Sequence, residues 1–261
     1  MRFHEFGERF KPVIIMLTGS FCPAKALEYL YTPLSEDYYV IVPDYNGHYK
    51  GSSAFTTRQN EAAEILRFVK SRQISSVALL YGQSMGSEIG IELLLQMLKA
   101  EINVGHAMFD GAPCIRLSAP YKAFMYFKFS SMIRMMRNKS VDEVVGWKFL
   151  NKFTGGDNES VRPMLEALCS IAPFVTNETI RNENECCYTF DFPEIPESMQ
   201  TRMHFLYGSS EKAYKTCHTL VRKAYPYAKM IVFRGFGHMT YSARHTKKYL
   251  GLMREEISVE K

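Results

Sequence analysis

Six short apolar runs recur along the chain: Val13 to Leu17, Tyr38 to Val42, Val77 to Tyr81, Val104 to Phe109, Met203 to Tyr207 and Lys229 to Phe233. Each is rich in β-branched or aromatic residues and is bounded by Gly, Pro, Asp or Asn, as strands buried on both faces are. Between them run helical patterns: Ala62, Ile65, Leu66 and Val69 repeat at three and four residues, and so do Ile89, Leu93 and Met97 in segment 85–99. Strands alternating with helices predict an α/β fold, a mostly parallel sheet flanked by helices on both faces, with a ligand site beyond the carboxyl ends of the strands.

The rhythm breaks between about Cys114 and Gln200. No buried strand is legible there, whereas Phe124, Tyr126, Phe127, Phe129, Met132 and Met135 crowd one segment and Trp147 to Phe153 adds more aromatics. We read 113–200 as a mainly helical cap inserted into a core of 1–112 and 201–261, above the carboxyl edge of the sheet. At 261 residues the chain is long enough to bury a full core in that arrangement.

Gly82-Gln83-Ser84-Met85-Gly86 fits G-x-S-x-G, the tight turn that lifts a serine hydroxyl above a sheet. It follows one apolar run and opens a periodic helical segment, the strand, turn and helix that the motif requires. A serine hydroxyl is a weak nucleophile, so a base must take its proton and a carboxylate must orient that base. His238, just past the run ending at Phe233, is the candidate base. Glu211, just past the run ending at Tyr207, is the candidate acid, with Asp110 after Phe109 as its rival. The order Ser84, Glu211, His238 is nucleophile, acid, base. For the oxyanion, one backbone N–H is expected from Met85 at the new helix's start, and the second from the loop Thr18-Gly19-Ser20-Phe21, Ser20 first and Phe21 next. Phe21, Phe124, Phe127 and Met239 are the candidate walls of an apolar pocket.

His4-Glu5-Phe6-Gly7, Leu17-Thr18-Gly19, Pro43-Asp44-Tyr45-Asn46-Gly47-His48, the Ser84 turn, Gly208-Ser209-Ser210-Glu211 and Gly237-His238 together resemble the α/β-hydrolase superfamily over almost the whole chain. The resemblance implies a serine hydrolase with its nucleophile, acid, base and oxyanion roles on the residues just named. Two departures bear on the subfamily: many relatives carry His-Gly where this chain has Thr18-Gly19, and Asp where it has Glu211. In similar proteins the segment holding His48 is a loop beside the site, so His48 is read as structural.

The reading is therefore cleavage of a carboxylic ester through an acyl-Ser84 intermediate. The same machinery serves thioesterases, amidases or peptidases and acyltransferases, and a non-catalytic small-ligand-binding protein is the alternative of another class. No cofactor is expected, since no G-x-G-x-x-G or phosphate loop is present, and no metal, since the usual zinc spacings are absent. Thirty-two basic against 27 acidic residues, spread along the chain, give little reason to expect nucleic acid. Lys122, Lys128, Arg134, Arg137 and Lys139 among aromatics suit an anionic group or a membrane surface; the reading adopted is the wet face of a helix. The charged opening Met1 to Phe6 lacks the apolar core of a signal peptide, no segment approaches the ~18 apolar residues of a membrane span, and the six cysteines show no paired spacing. A cytoplasmic protein with reduced thiols, acting on a small-molecule ester without membrane contact, is the expectation; nothing in the sequence specifies an oligomeric state.

Overall fold

The computed structural model describes residues 1–258, with side chains for all of these but Phe153 and Ala213. Seven strands, β1 (Arg2–Phe6), β2 (Val13–Leu17), β3 (Tyr39–Asp44), β4 (Ser76–Gln83), β5 (Asn103–Asp110), β6 (Met203–Gly208) and β7 (Lys229–Phe233), form one sheet in the order β1-β3-β2-β4-β5-β6-β7. All neighbours are parallel except β1, which runs antiparallel to β3. The helices are α1 (Glu28–Leu34), α2 (Arg58–Ser71), α3 (Met85–Lys99), α4 (Ala119–Met136), α5 (Val141–Val145), α6 (Asn151–Thr154), α7 (Arg162–Ile171), α8 (Asn177–Tyr188), α9 (Glu197–Gln200), α10 (Lys212–Ala224), α11 (Thr240–Arg244) and α12 (Thr246–Ser258).

The pleat divides the strand residues between two cores. Val13, Ile15 and Leu17 join Ile65, Ile89, Leu93 and Val221 from α2, α3 and α10. Ile14 and Met16 join Leu30, Leu34, Tyr249 and Met253 from α1 and α12 on the other face. With both faces covered, every strand residue of β2 is buried, and this is why the parallel strands read as unbroken apolar runs. β1 escapes the sequence reading for the converse reason. It is an edge strand with one partner, and it holds its place partly through polar contacts: Arg2 donates to Asp44 Oδ2 (2.5 Å) and His4 Nε2 lies 2.9 Å from the same oxygen. An edge strand carrying charge needs no apolar run and discourages further pairing.

Six helices, α4 to α9, lie between β5 and β6. Ile133, Met136, Val144, Leu165, Leu168 and Ile171 build a third core, which takes in Phe21, Cys22 and Ala26 from the loop after β2. The end of the same stretch does not belong to that core: Cys186, Cys187, Phe190, Ile195 and Met199 pack into the principal one. The stretch is thus seated on the sheet's carboxyl edge at one end and woven into the main body at the other.

Register brings the strand ends level. Leu17 stands beside Gly82, Gln83 beside Asp110, Asp110 beside Leu206, and Gly208 beside Phe233, so the loops that follow five neighbouring strands open on one edge. Phe205 is fully buried between Phe109 and Tyr225, where truncation leaves a cavity the stacked rings cannot close. Phe205→Ala is expected to cost about 3–5 kcal/mol, read as a lowered urea midpoint at unchanged slope.

Candidate active site

β4 ends at Gln83 and α3 begins at Met85, so Ser84 makes the whole turn, with φ 54° and ψ −121°. A side chain with a Cβ avoids that region, at a cost of about 1–3 kcal/mol. Two contacts hold it there. The Ser84 N–H donates to the Asp110 carbonyl at 2.7 Å, tying the turn to β5. Gly86 passes so close beneath β2 that a Cβ on it would stand 2.4 Å from the Leu17 carbonyl oxygen. The turn leaves Ser84 partly exposed and places the Met85 N–H at the start of α3, where helical N–H groups have no partner within the helix.

Glu211 and His238 meet above the neighbouring strands. Glu211 is buried; its Oε1 accepts the Gly208 N–H at 2.7 Å and its Oε2 is hydrogen-bonded to His238 Nδ1. The two loops are stitched together, Ser209 N–H donating to the Phe233 carbonyl (2.9 Å) and Ser210 N–H to that of Phe236 (3.0 Å). Burial alone would discharge His238, but the Glu211 charge and hydrogen bond outweigh it and raise the imidazole above its ordinary value. A proton on Nδ1 directed at Glu211 leaves Nε2 as the basic nitrogen. The ring rests on Gly111, whose φ is +64° and where a Cβ would come 2.3 Å from His238 Cε1; positive φ and crowding together admit only glycine. Among the described residues the Ser84 hydroxyl makes no hydrogen bond. Serine and histidine are joined through the Asp110–Gly111 corner, which is bonded to the Ser84 backbone and lies against the ring.

Asp110, the rival acid, is not the carboxylate hydrogen-bonded to the ring. Its Oδ2 accepts the hydroxyls of Tyr249 (2.8 Å) and Tyr81 (3.4 Å). Burial, and then the neighbouring Glu211 charge, push its carboxyl up to about 7. Two carboxylates therefore flank one imidazole, the hydrogen-bonded one on Glu211.

The loop after β2 meets Ser84 at Gly19, where a Cβ would stand 3.2 Å from Ser84 Cβ. Ser20 and Phe21 follow, and the Phe21 N–H is already taken: it donates to Glu183 Oε2 at 2.9 Å. Phe21 is thereby removed from the oxyanion candidates and Ser20 is left. Glu183 belongs to α8, and its other oxygen lies 2.6 Å from His48 Nε2, both side chains fully buried. His48 Nδ1 in turn reaches the Cys22 carbonyl at 3.1 Å. Burial opposes charge on His48, yet the Glu183 charge and hydrogen bond raise it above its ordinary value. One carboxylate thus clamps the loop that carries Ser20 to both α8 and the loop after β3. The sequence reading missed Glu183, which sits in the polar run Asn177-Glu178-Thr179-Ile180-Arg181-Asn182-Glu183 without any local feature to mark it. The Cys22 thiol, pushed up to about 12 by burial and then by the Glu183 charge, is not nucleophilic near neutral pH.

Two of the four expected pocket walls are corrected. Phe124 and Phe127 are 60% and 69% exposed, because α4 turns Phe129, Ile133 and Met136 inward instead. Phe129 meets Phe21 edge-on at 5.5 Å and stacks with Tyr188. Phe21 and Met239 do lie in the third core beside it. The basic cluster is largely engaged: Lys122 with Glu185, Arg137 with the carbonyls of Ala172 and Val175, and Lys139 with Glu143. A groove of about 560 Å³ lined by Phe192, Pro193, Pro196, Gln200 and Tyr225 includes no residue of the loops around Ser84.

No family profile matches the chain, and no curated protein is similar to it in sequence. Solved structures are similar in fold. An α/β hydrolase family protein from Desulfitobacterium hafniense superposes with a TM-score of 0.75 at 17% identity, covering 97% of this chain and 99% of that one. A bromoperoxidase from Bacillus anthracis gives 0.74 at 17% identity over 98% and 94%, and an esterase from Exiguobacterium antarcticum 0.73 at 17% over 98% and 94%. The chain has the α/β-hydrolase fold. Among the described residues no helix is long and apolar enough to cross a membrane.

Removing one partner of the buried Glu183–His48 pair strands the other, so Glu183→Ala is expected to lose about 3–5 kcal/mol of stability in denaturant titration. Because folding raises the His48 pKa, the pair's contribution is complete below the unfolded value of about 6.5 and fades as pH rises through the folded one. The stability gap between wild type and Glu183→Gln, measured across pH, is expected to narrow on the alkaline side.

Proposed function

We propose that the protein is a serine hydrolase that cleaves a carboxylic ester bearing an apolar group. The single observation that carries this is the hydrogen-bonded Glu211–His238 pair resting on Gly111, next to a serine held at φ 54° on a strand-to-helix turn. His238 Nε2 accepts the Ser84 proton as Oγ bonds to the substrate carbonyl carbon. The N–H groups of Ser20 and Met85 receive the resulting oxyanion, each worth about 3 kcal/mol. The protonated imidazole then gives its proton to the departing alkoxide, leaving acyl-Ser84. Water, deprotonated by the same ring, releases the acid in a second pass. Glu211 keeps Nδ1 protonated and balances the imidazolium.

The fold neighbours support ester or lactone chemistry as the starting point, since they include esterases and an enol-lactonase. We read 113–200 as a cap over a core of 1–112 and 201–261, with Phe21, Phe129, Tyr188 and Met239 facing the acyl or alcohol group. The six cysteines are all free, and we place the protein in a reducing cytoplasm on that ground.

The test is burst-phase hydrolysis of p-nitrophenyl esters of graded chain length. Ser84→Ala and His238→Ala are expected to lower kcat by at least about 10⁴-fold and Glu211→Gln by about 10³- to 10⁴-fold, with Asp110→Asn within about tenfold of wild type. A folded wild type that turns over none of these esters and is not labelled at Ser84 by a fluorophosphonate would transfer the case to a non-catalytic ligand-binding protein. The base must be neutral to act, and Glu211 raises its pKa. The acid limb of kcat/KM is therefore expected above pH 6.5, and the residual activity of Glu211→Gln is expected to keep its limb at lower pH.

A further inference from the structure

The face of β5 that carries Asp110 also carries His106, four residues and about 13 Å further down the strand, toward the sheet edge opposite Ser84. There it meets His204 of β6, the two rings 6.1 Å apart between centroids. α12 runs along the same face. Its Tyr249 hydroxyl binds Asp110, and Glu256, seven positions on and so about 10.5 Å along the helix axis, arrives over the two histidines. All three residues are buried, and one ligand atom from each lies within 4.8 Å of the other two.

This cluster plays no part in the chemistry at Ser84. His204 Nδ1 stands 3.4 Å from Glu256 Oε2, within ion-pair reach, yet is buried without an aligned hydrogen bond. Buried polar atoms left in that state call for an explanation, an ion among them. Two imidazole nitrogens and a carboxylate oxygen are a donor set for Zn²⁺ rather than for Ca²⁺ or Mg²⁺, which take oxygens. Ligand atoms around tetrahedral zinc lie about 3.3 Å apart, and side-chain rotations close the remaining gap from 4.8 Å. Among the described residues the cation paired with Glu256 is Lys229, whose Nζ is 3.0 Å from Glu256 Oε1; its side chain is 57% exposed and can withdraw into solvent.

We propose that His106, His204 and Glu256 bind one zinc ion, with water in the fourth position, as a cross-link between β5, β6 and α12 at the end of the sheet remote from Ser84. The sequence offers no zinc motif because each ligand comes from a different element, brought together only by the sheet register and the course of α12.

The experiment titrates EDTA-treated full-length protein with ZnCl₂ by calorimetry, and with Co²⁺ by absorption. Expected are one equivalent bound with a Kd of about 1 μM or tighter and a Co²⁺ spectrum without a thiolate charge-transfer band. Tm is expected to rise by about 5 °C at a hundredfold excess over Kd. His204→Gln and Glu256→Gln, checked for folding by circular dichroism, should each weaken binding by more than about a hundredfold, beyond what loss of an outer partner costs. Lys229→Met, which removes only the competing cation, should tighten it roughly tenfold. Absence of binding in both wild type and Lys229→Met overturns the proposal. So does binding that both glutamine variants leave intact, or a thiolate band that places the metal on cysteine.

Discussion

The turn at Ser84 is the constraint around which the rest of this molecule is arranged. A non-glycine residue at φ 54° and ψ −121° relaxes unless its neighbours hold it, and here the holding is done by the strands that flank β4. β5 accepts the Ser84 N–H through Asp110, while β2 leaves room for α3 only because residue 86 has no side chain. The packing that stabilises the strain also aims the hydroxyl. The strand register that fixes β2 against β4 and β4 against β5 fixes where the adjoining loops emerge. A shift in either pair would relax the turn and misplace the loop of Ser20 or the seat of His238 on Gly111.

Charge is distributed around the site with similar economy. Glu211 and Asp110 both face His238, and they are kept distinct by their partners. Glu211 takes a backbone N–H and the ring; Asp110 takes two tyrosine hydroxyls and is pushed up to about 7, first by burial and then by the Glu211 charge. The Glu211 charge contributes to the rise at Asp110 because two ionised carboxylates beside one imidazole repel each other. Across the site Glu183 does a different task with the same chemistry. Its two oxygens fix His48 and the Phe21 N–H. The loop that carries Ser20 is thereby tied to α8, in the stretch between β5 and β6.

That stretch is where reading a sequence by pattern is weakest. α4 has apolar residues all round its circumference, so nothing in the order Phe124, Tyr126, Phe127, Phe129 reveals which ring turns inward. The answer, Phe129, depends on Phe21 and Tyr188, residues distant in sequence. Glu183 is equally hidden, at the end of a run of polar and charged residues broken only by Ile180. The histidines at 106 and 204 lie inside apolar runs and read there as interruptions of a strand.

Local chemistry determined a great deal here. Strands covered on both faces must be apolar throughout, which made β2 to β6 readable, while the half-buried edge strand β7 was readable from its β-branched and aromatic residues. A glycine-flanked serine between strand and helix can make only one kind of turn, which made Ser84 readable. The ends of parallel strands lie at one edge, which puts the loops of Glu211 and His238 side by side. Only the tertiary structure put Glu211 rather than Asp110 in hydrogen-bond contact with His238, gave the Phe21 N–H to Glu183, turned Phe124 and Phe127 outward, added β1 at the edge, and gathered His106, His204 and Glu256. Each of those outcomes depends on contacts between residues far apart in the chain, and a sequence pattern records the periodicity of an element but not the phase in which it meets its neighbours.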